Sequence, residues 1–415
     1  MMYRINDISL APQGEKKIKW AKLNMPLLSD IEKEFIKTQP FRNLKVALSV
    51  HIEAKTACLC RLLKAAGAEL YATGCNPLST QDDVAAALAA GGINIFARHG
   101  VSEEEYERDL ISVLEPGPNI VIDDGGDLAE LLHRRMPELI ESILGGCEET
   151  TTGINRLRSM KREGVLRYPV IKVNDAKCKY LFDNRYGTGQ SVWDGINRTT
   201  NLVVAGKKVV VAGYGWCGKG IAMRAKGQGA IVYVTEVDPV KAIEAAMDGF
   251  HVLPMEQAAE IGDIFITATG CKDVITGPAF KKMKDGAIMC NAGHFNVEVD
   301  VETLEKLATE KQEQRPNIMG YKLEGGKWLY LLAQGRLVNL ASGDGHPVEI
   351  MDMSFAIQAL SAAYLAQRTD RLEPDLYPVP EEIDNDIAMR KLSAMGISID
   401  FLTSDQRRYL DGWLT

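Results

Sequence analysis

Two groups of residues in this 415-residue chain have types and spacings that could do chemistry. The first is a glycine turn. An apolar β-branched run, 208–212, ends in Gly213-Tyr214-Gly215-Trp216-Cys217-Gly218. A helix-compatible segment follows, then a second apolar run, 231–235, which closes on Glu236. Strand, glycine turn, helix, strand and acid within about 30 residues are the pattern of a dinucleotide site. Gly213 would permit the tight turn, Gly215 the approach of a pyrophosphate, and Gly218 close packing of helix on strand. The helix N-terminus would offer free N–H groups and its positive dipole end to the phosphates. Glu236 would accept from both ribose hydroxyls and repel a 2'-phosphate, which favours NAD over NADP. The alternative is a βαβ unit whose glycines serve packing alone.

The second group is polar and recurs at the C-terminal ends of expected strands, where open α/β sheets hold ligands. His51 follows one strand, Asp123-Asp124 another, and Asn174-Asp175 a third. Cys147 to Gly153, reading CEETTTG, follows Gly145-Gly146, which the pattern places at a helix end. Lys179 and Asp183 stand four residues apart. A single Asp after a strand is usually a helix cap, and a single Lys is usually solvated. Several such groups at one sheet edge point to a site. His294 stands at a further strand end, beside the expected nicotinamide, and His346 precedes Pro347 in a glycine-rich hinge.

The elements that must position these groups alternate from Phe41 onward. Strands are expected at 44–50, 68–73, 93–97 and 119–123, and helices at 53–67, 81–91, 102–114 and 128–144. Such alternation predicts a parallel sheet covered on both faces. The fold class is therefore α/β, with two doubly wound Rossmann-like domains and a small C-terminal tail. A discontinuous substrate domain comprises 1–187 and 341–380, the dinucleotide domain 188–340, and the tail 381–415. Around Leu340 a strand is expected to pass through the hinge into an apolar helix that returns to the first domain.

Composition sets the outer limits. Apolar residues make up 46% and charged residues 25%, ordinary for a globular enzyme. A formal net charge of -8 argues against nucleic-acid affinity. No stretch approaches the roughly 18 apolar residues of a membrane span, and no signal peptide is evident. The eight cysteines form no CxxC, so they read as reduced thiols of a cytoplasmic protein, with no metal site expected.

With these residues in view, the chain resembles the S-adenosylhomocysteine hydrolases. The motifs are NPLSTQDD (76–83), IDDGGDL (122–128), EETTTG (148–153), VND (173–175), FDNRYG (182–187), VVVAGYGWCGKG (209–220), CNAGHF (290–295) and GRLVNLASGDGHP (335–347). The resemblance implies NAD that stays bound and is regenerated in each turnover. The ribose 3'-hydroxyl of the substrate becomes a ketone, which acidifies the 4'-hydrogen. Homocysteine then leaves the 5'-carbon, water adds there, and the ketone is reduced again. The sum is the reversible hydrolysis of S-adenosyl-L-homocysteine to adenosine and L-homocysteine. Position by position, the resemblance makes Lys179 the acceptor of the 3'-hydroxyl proton, with its amine kept partly neutral. It makes Asp183 and Glu149 ribose ligands, and assigns protons at the 4'- and 5'-carbons to Asp124 and His51. Asn174 would bridge sugar and nicotinamide. Thr150, Thr151, Thr152, Asn184, Glu236, Asn291 and Asn339 match cofactor contacts. His294 and His346 would line the closed cleft, with His346 touching the base or gating access. The resemblance also implies a homo-oligomer, a tetramer.

Three positions depart from well-known members. Thr188 stands where many have Cys, so that thiol cannot be required here. Glu53 and Lys55 follow His51 where others have Thr and an acceptor. An acceptor suits the adenine 6-amino group, whereas an ammonium only donates and suits a 6-oxo group. This makes S-inosyl-L-homocysteine an alternative substrate, unless Lys55 points to solvent. The basic, tyrosine-containing tail is absent, which predicts weaker NAD retention. Two readings of other classes remain: a 2-hydroxy-acid dehydrogenase, which lacks its Arg and His–Glu pair here, and a non-catalytic NAD-binding relative, which would have lost part of the catalytic set.

Overall fold

The computed structural model describes residues 2–413, so Leu414 and Thr415 of the expected tail lie outside the described residues. Two eight-stranded sheets carry the chain. The first runs, in spatial order, Tyr3–Arg4, Asn94–Phe96, Glu69–Thr73, Lys45–Ser49, Ile120–Asp123, Gly145–Glu148, Val170–Lys172 and Leu376–Pro378, all parallel. Strand order reverses between Lys45–Ser49 and Ile120–Asp123. Their C-terminal ends therefore diverge into a crevice, and His51 and Asp124 are the residues just beyond them.

The second sheet runs His251–Val252, Ile231–Thr235, Lys208–Ala212, Ile264–Thr267, Ala287–Asn291, Trp328–Leu332, Ile318–Leu323 and Ala308–Arg315. Its first six strands are parallel, and the last two extend it as an antiparallel meander. Its switch point falls between Lys208–Ala212 and Ile264–Thr267, which places the 213–218 turn in the crevice.

Several elements differ from the sequence pattern, each for a tertiary reason. Gly145 and Gly146 do not end a helix; they open the central strand Gly145–Glu148. A Cβ at Gly145 would lie 2.8 Å from Leu365, and one at Gly146 3.1 Å from Tyr168. Glycine is used here because neighbouring side chains press directly onto the strand. The helix expected over 128–144 stops at Arg134, because Pro137 starts a separate tight turn, Pro137–Ser142. Before the hinge, Val338–Ala341 is a short helix rather than a strand. Leu376–Pro378 is a strand that pairs with Val170–Lys172, so chain beyond the hinge completes the first sheet.

Helix Val348–Ala366, the returning helix, is buried on nearly every side. Phe355, Ile357 and Ala359 join Val46, Leu48, Ile120, Ile122 and Ile171 in one apolar core. Asp352, fully buried, accepts from the backbone N–H groups of Leu27 (3.1 Å) and Leu28 (2.9 Å). It thus caps helix Pro26–Thr38 from a distant part of the chain, since that helix starts at a methionine that cannot cap it. Helix Glu381–Ala394 packs against the same body, burying Ile387 and using Asp384 to accept from the N–H groups of Lys177 and Cys178, both at 2.8 Å. Beyond it, helix Ser404–Asp411 is exposed throughout. No helix among the described residues is long and apolar enough to cross a membrane.

Candidate active site

The two switch points face one another, and the polar strand-end residues collect between them in two clusters. The first joins His51, Asp124 and His294. His51 Nε2 lies 3.7 Å from Asp124 Oδ2, and His294 Nδ1 lies 3.7 Å from Asp124 Oδ1. Burial pushes the His51 imidazole down to about 4, despite the nearby Asp124 carboxylate, so it is neutral at neutral pH. His294 belongs to the second domain and meets Asp124 across the cleft. Asn291 makes this placement. Its Oδ1 accepts from Gly293 N (2.7 Å) and Thr267 Oγ1 (3.0 Å), and its Nδ2 donates to the carbonyls of Gly293, Phe295 and Gly335. The Asn291 side chain thus ties down the His294 loop.

The second cluster surrounds Lys179. The residue sits where helix Lys177–Lys179 passes into Tyr180–Gly187, a stretch with widened turns of the kind found at functional sites. Lys179 Nζ lies 3.4 Å from Asp183 Oδ1 and 3.5 Å from Glu149 Oε1, and donates to Asn184 Oδ1 at 2.9 Å. Asn184 Nδ2 in turn donates to Asn174 Oδ1 (3.0 Å), and Asn174 Nδ2 to Thr151 Oγ1 (3.1 Å). The expectation of a partly neutral Lys179 is corrected here. Burial alone would depress its pKa, but Asp183 and Glu149 outweigh it and hold the ammonium well above the usual lysine range. Burial also acts on the two carboxyls. Lys179 and His346 overcome it at Asp183, which is held well below the usual carboxylate range. At Glu149 burial prevails over the attraction of Lys179, with repulsion from Asp183 added, and the carboxyl is pushed up to about 8. One ammonium thus neutralises one carboxylate, and the second carboxyl keeps its proton at neutral pH.

The His346 imidazole reaches from the hinge to the second cluster. Nδ1 lies 2.9 Å from Asp183 Oδ1 and Nε2 lies 3.3 Å from Thr188 Oγ1. The Thr188 hydroxyl is also 3.6 Å from Cys217 Sγ.

Two functional residues were missed in the sequence. Ser354 Oγ donates to Asp183 Oδ2 at 2.6 Å, and Gln358 Nε2 donates to Glu149 Oε2 at 2.5 Å. Both are fully buried and lie four residues apart on the returning helix, hence on one face. Polar residues at that spacing inside an otherwise apolar helix were the available signal. A further buried carboxyl, Glu298, accepts from Thr269 N and Gly270 N (2.9 and 2.8 Å) and braces the far side of Gly293.

Glu53 and Lys55 form a third, smaller pair, both buried. Glu53 caps its helix by accepting from the N–H groups of Lys55 and Thr56. Lys55 Nζ lies 3.0 Å from Glu53 Oε2 as an ion pair and donates across the cleft to the Asp344 carbonyl (2.7 Å). Lys55 does not point to solvent.

The glycine turn fits a dinucleotide. Gly213 has φ +93°, which favours glycine, and a Cβ on Gly218 would strike the Gly213 carbonyl oxygen at 1.9 Å. Nothing lies within 4 Å of where a Cβ on Gly215 would stand, so the approach there is open. Glu236, at the end of the next strand, accepts from Tyr214 N at 2.7 Å and is positioned at the turn. Asn339 Oδ1 is buried without a partner, as a group awaiting a ligand donor would be. Thr150 is less free: its hydroxyl donates to Glu148 Oε1 (2.8 Å) and caps helix Thr151–Arg162. The Lys179 stretch packs tightly on the turn's helix, for a Cβ on Gly220 would lie 1.7 Å from the Arg185 carbonyl.

Two doubly wound domains that meet at their switch points, one bearing a glycine turn and the other an acid–base cluster, define a dinucleotide-dependent enzyme working in an interdomain cleft. Residues 2–140 match the profile of S-adenosyl-L-homocysteine hydrolase, and residues 184–345 match the NAD-binding domain of that enzyme. The chain is 57% identical over 411 residues to the adenosylhomocysteinase of Thermococcus kodakarensis, covering 99% of this chain and 98% of that one. It is also 57% identical over 412 residues to the S-inosyl-L-homocysteine hydrolase of Methanocaldococcus jannaschii, covering 99% of each. Identity to the adenosylhomocysteinase of Aquifex aeolicus is 55% over 414 residues, covering 100% of this chain and 99% of that one. The chain belongs to the S-adenosyl-L-homocysteine hydrolase family, and it is an NAD-dependent hydrolase.

Proposed function

We propose that the substrate is S-adenosyl-L-homocysteine and that the Lys179 cluster handles the proton of its 3'-hydroxyl. The observation that carries this reading is Lys179 itself, an ammonium between two carboxyls and packed against the dinucleotide helix. NAD, when bound, supplies the oxidising power that turns the 3'-carbon into a ketone. An ammonium cannot accept a proton, so Lys179 must first release one. Glu149 Oε1, 3.5 Å away and without a hydrogen-bond partner, is the receiver once Glu149 has itself ionised. The neutral amine then takes the 3'-hydroxyl proton. Asp183 stays ionised, fixes the amine and accepts from a ribose hydroxyl. At the other end of the sugar, neutral His51 takes the acidified 4'-proton, and with Asp124 it serves the departing thiol and the entering water.

A second substrate reading rests on Lys55. One of its three protons is given to the Asp344 carbonyl and its charge is paired with Glu53, which leaves a proton that can donate to a purine 6-oxo group. S-inosyl-L-homocysteine is that substrate. Homocysteine release from the adenosyl and inosyl thioethers, followed side by side with a thiol reagent, tests both readings. Faster release from the adenosyl substrate supports the first and faster release from the inosyl substrate the second. No thiol from either overturns both.

The protein acts in the cytoplasm as a homo-oligomer, a tetramer. The eight cysteines are all free thiols, which fits a reducing compartment. Phe401 (72% exposed), Leu410 (64%) and Trp413 (89%) project from the C-terminal arm without partners, as expected of a subunit contact. Sedimentation of the full chain checks the assembly.

A further inference from the structure

Behind the carboxyls of the site stands a second pair. Asp123 and Glu148 are directly opposite one another on neighbouring parallel strands, each one residue before Asp124 and Glu149. Successive residues of a strand face opposite ways, so this inner pair turns from the cleft and lines a small cavity with Leu157 and Tyr168. Both are buried, and the reaction described above uses neither.

Glu148 is tied to both loops of the site through one oxygen. Its Oε1 accepts from Gly125 N (2.9 Å), next to Asp124, and from Thr150 N (2.9 Å), next to Glu149. It also accepts from Thr150 Oγ1 at 2.8 Å. The other oxygen, Oε2, is buried with no hydrogen-bond partner. An ionised carboxylate has two equivalent oxygens and would spread three donors over both. Three donors on Oε1 and none on Oε2 are the pattern of a neutral acid, with Oε1 the carbonyl and Oε2 the hydroxyl. Burial, reinforced by the adjacent Asp123, favours the same form and pushes the Glu148 carboxyl well above the usual carboxylate range, although the donors to Oε1 oppose it. A Cβ on Gly153 would lie 2.1 Å from the Glu148 carboxyl carbon, so helix Thr151–Arg162 is seated directly on this group. Asp123 does a lesser task within one loop, accepting from Asp124 N and Ala129 N, both at 3.0 Å.

We propose that Glu148 is a positioning residue, whose Oε1 sets the separation of Asp124 and Glu149 by strapping the loop after one strand to the loop after the next. The proposal rests on the roles given above to those two groups. Glu149 serves the 3'-hydroxyl and Asp124 the 5'-carbon of one sugar, so their spacing must match the ribose. A misplacement of about 1 Å at such a site costs on the order of 100-fold in rate.

The test compares Glu148→Gln with Glu148→Met at equal content of bound NAD. Glutamine keeps an uncharged carbonyl acceptor in place of Oε1, whereas methionine has similar length and no such acceptor. Two half-reactions are read: single-turnover reduction of bound NAD by adenosine, and exchange of the adenosine 4'-hydrogen with solvent deuterium. Glu148→Gln should retain both rates. Glu148→Met should lose on the order of 100-fold in both, with KM for the thioether little changed. If the methionine variant does not fold, Glu148→Asp, one carbon shorter, withdraws the oxygen and should lose both rates in the same way. A lowered Tm with both rates intact would make Glu148 merely structural and overturn the proposal. A loss confined to one half-reaction, or Glu148→Gln as slow as Glu148→Met, would also overturn it. A wild-type chain that reduces no NAD with adenosine would refute the underlying reaction, and the proposal with it.

Discussion

Replacing Gln358 by Met removes the only hydrogen bond that supports the Glu149 carboxylate from the returning helix. In the native site Gln358 Nε2 donates to Glu149 Oε2 at 2.5 Å, and the Glu149 pKa is raised to about 8. The sign follows from which form reacts. Lys179 can shed its proton only to an ionised Glu149, so formation of the 3'-ketone should rise with pH through about 8. A hydrogen bond to a charged group contributes about 1.5–3 kcal/mol, and one pH unit corresponds to about 1.4 kcal/mol. Loss of the donor should therefore move this limb upward by about one to two pH units. At pH 7 the rate should drop roughly ten- to a hundredfold, with recovery on the alkaline plateau. Methionine keeps the length of glutamine, so packing changes little. The assay is single-turnover reduction of bound NAD by adenosine across pH. A rate lowered equally at all pH values would make Gln358 merely structural. A limb moved downward would mean that its carbonyl, not its amide nitrogen, faces Glu149.

Other outcomes follow from the same geometry. Lys179→Ala should abolish 3'-oxidation while NAD remains bound; normal turnover would remove the role given to Lys179. Gly218→Ala would drive a Cβ to 1.9 Å from the Gly213 carbonyl, so the variant should purify without NAD, and full NAD content would refute the tight turn. Asp352→Ala should leave two N–H groups at the start of helix Pro26–Thr38 without acceptors, a loss of about 1–3 kcal/mol read as a Tm lowered by several degrees, and an unchanged Tm would count against the cap.

How much was legible in the sequence depends on the range of the interaction concerned. The glycine turn was legible because its constraints are local: φ +93° at Gly213 and the 1.9 Å approach at Gly218 concern residues five apart. The strand-end positions of His51, Asp124 and Asn174 were legible for the same reason, since a period of two residues and a following turn place them. Gly145-Gly146 misled, because glycine usually ends regular structure, and only Leu365 and Tyr168 pressing on the strand account for their use. Leu376–Pro378 was too short to mark itself as a strand without the edge of Val170–Lys172 beside it.

The sequence by itself determined the two doubly wound units, the dinucleotide turn and the set of polar groups at the sheet edges, because each follows from the pattern of neighbouring residues. Only the tertiary structure decided what those groups are. Lys179 is charged because Asp183 and Glu149 arrive beside it, and those carboxyls are fixed by Ser354 and Gln358, some 170 to 210 positions further along the chain. Asn291 holds a loop because its amide meets backbone partners there. Protonation and hydrogen-bond pairing depend on desolvation and on charges within a few ångströms, and no sequence spacing fixes those.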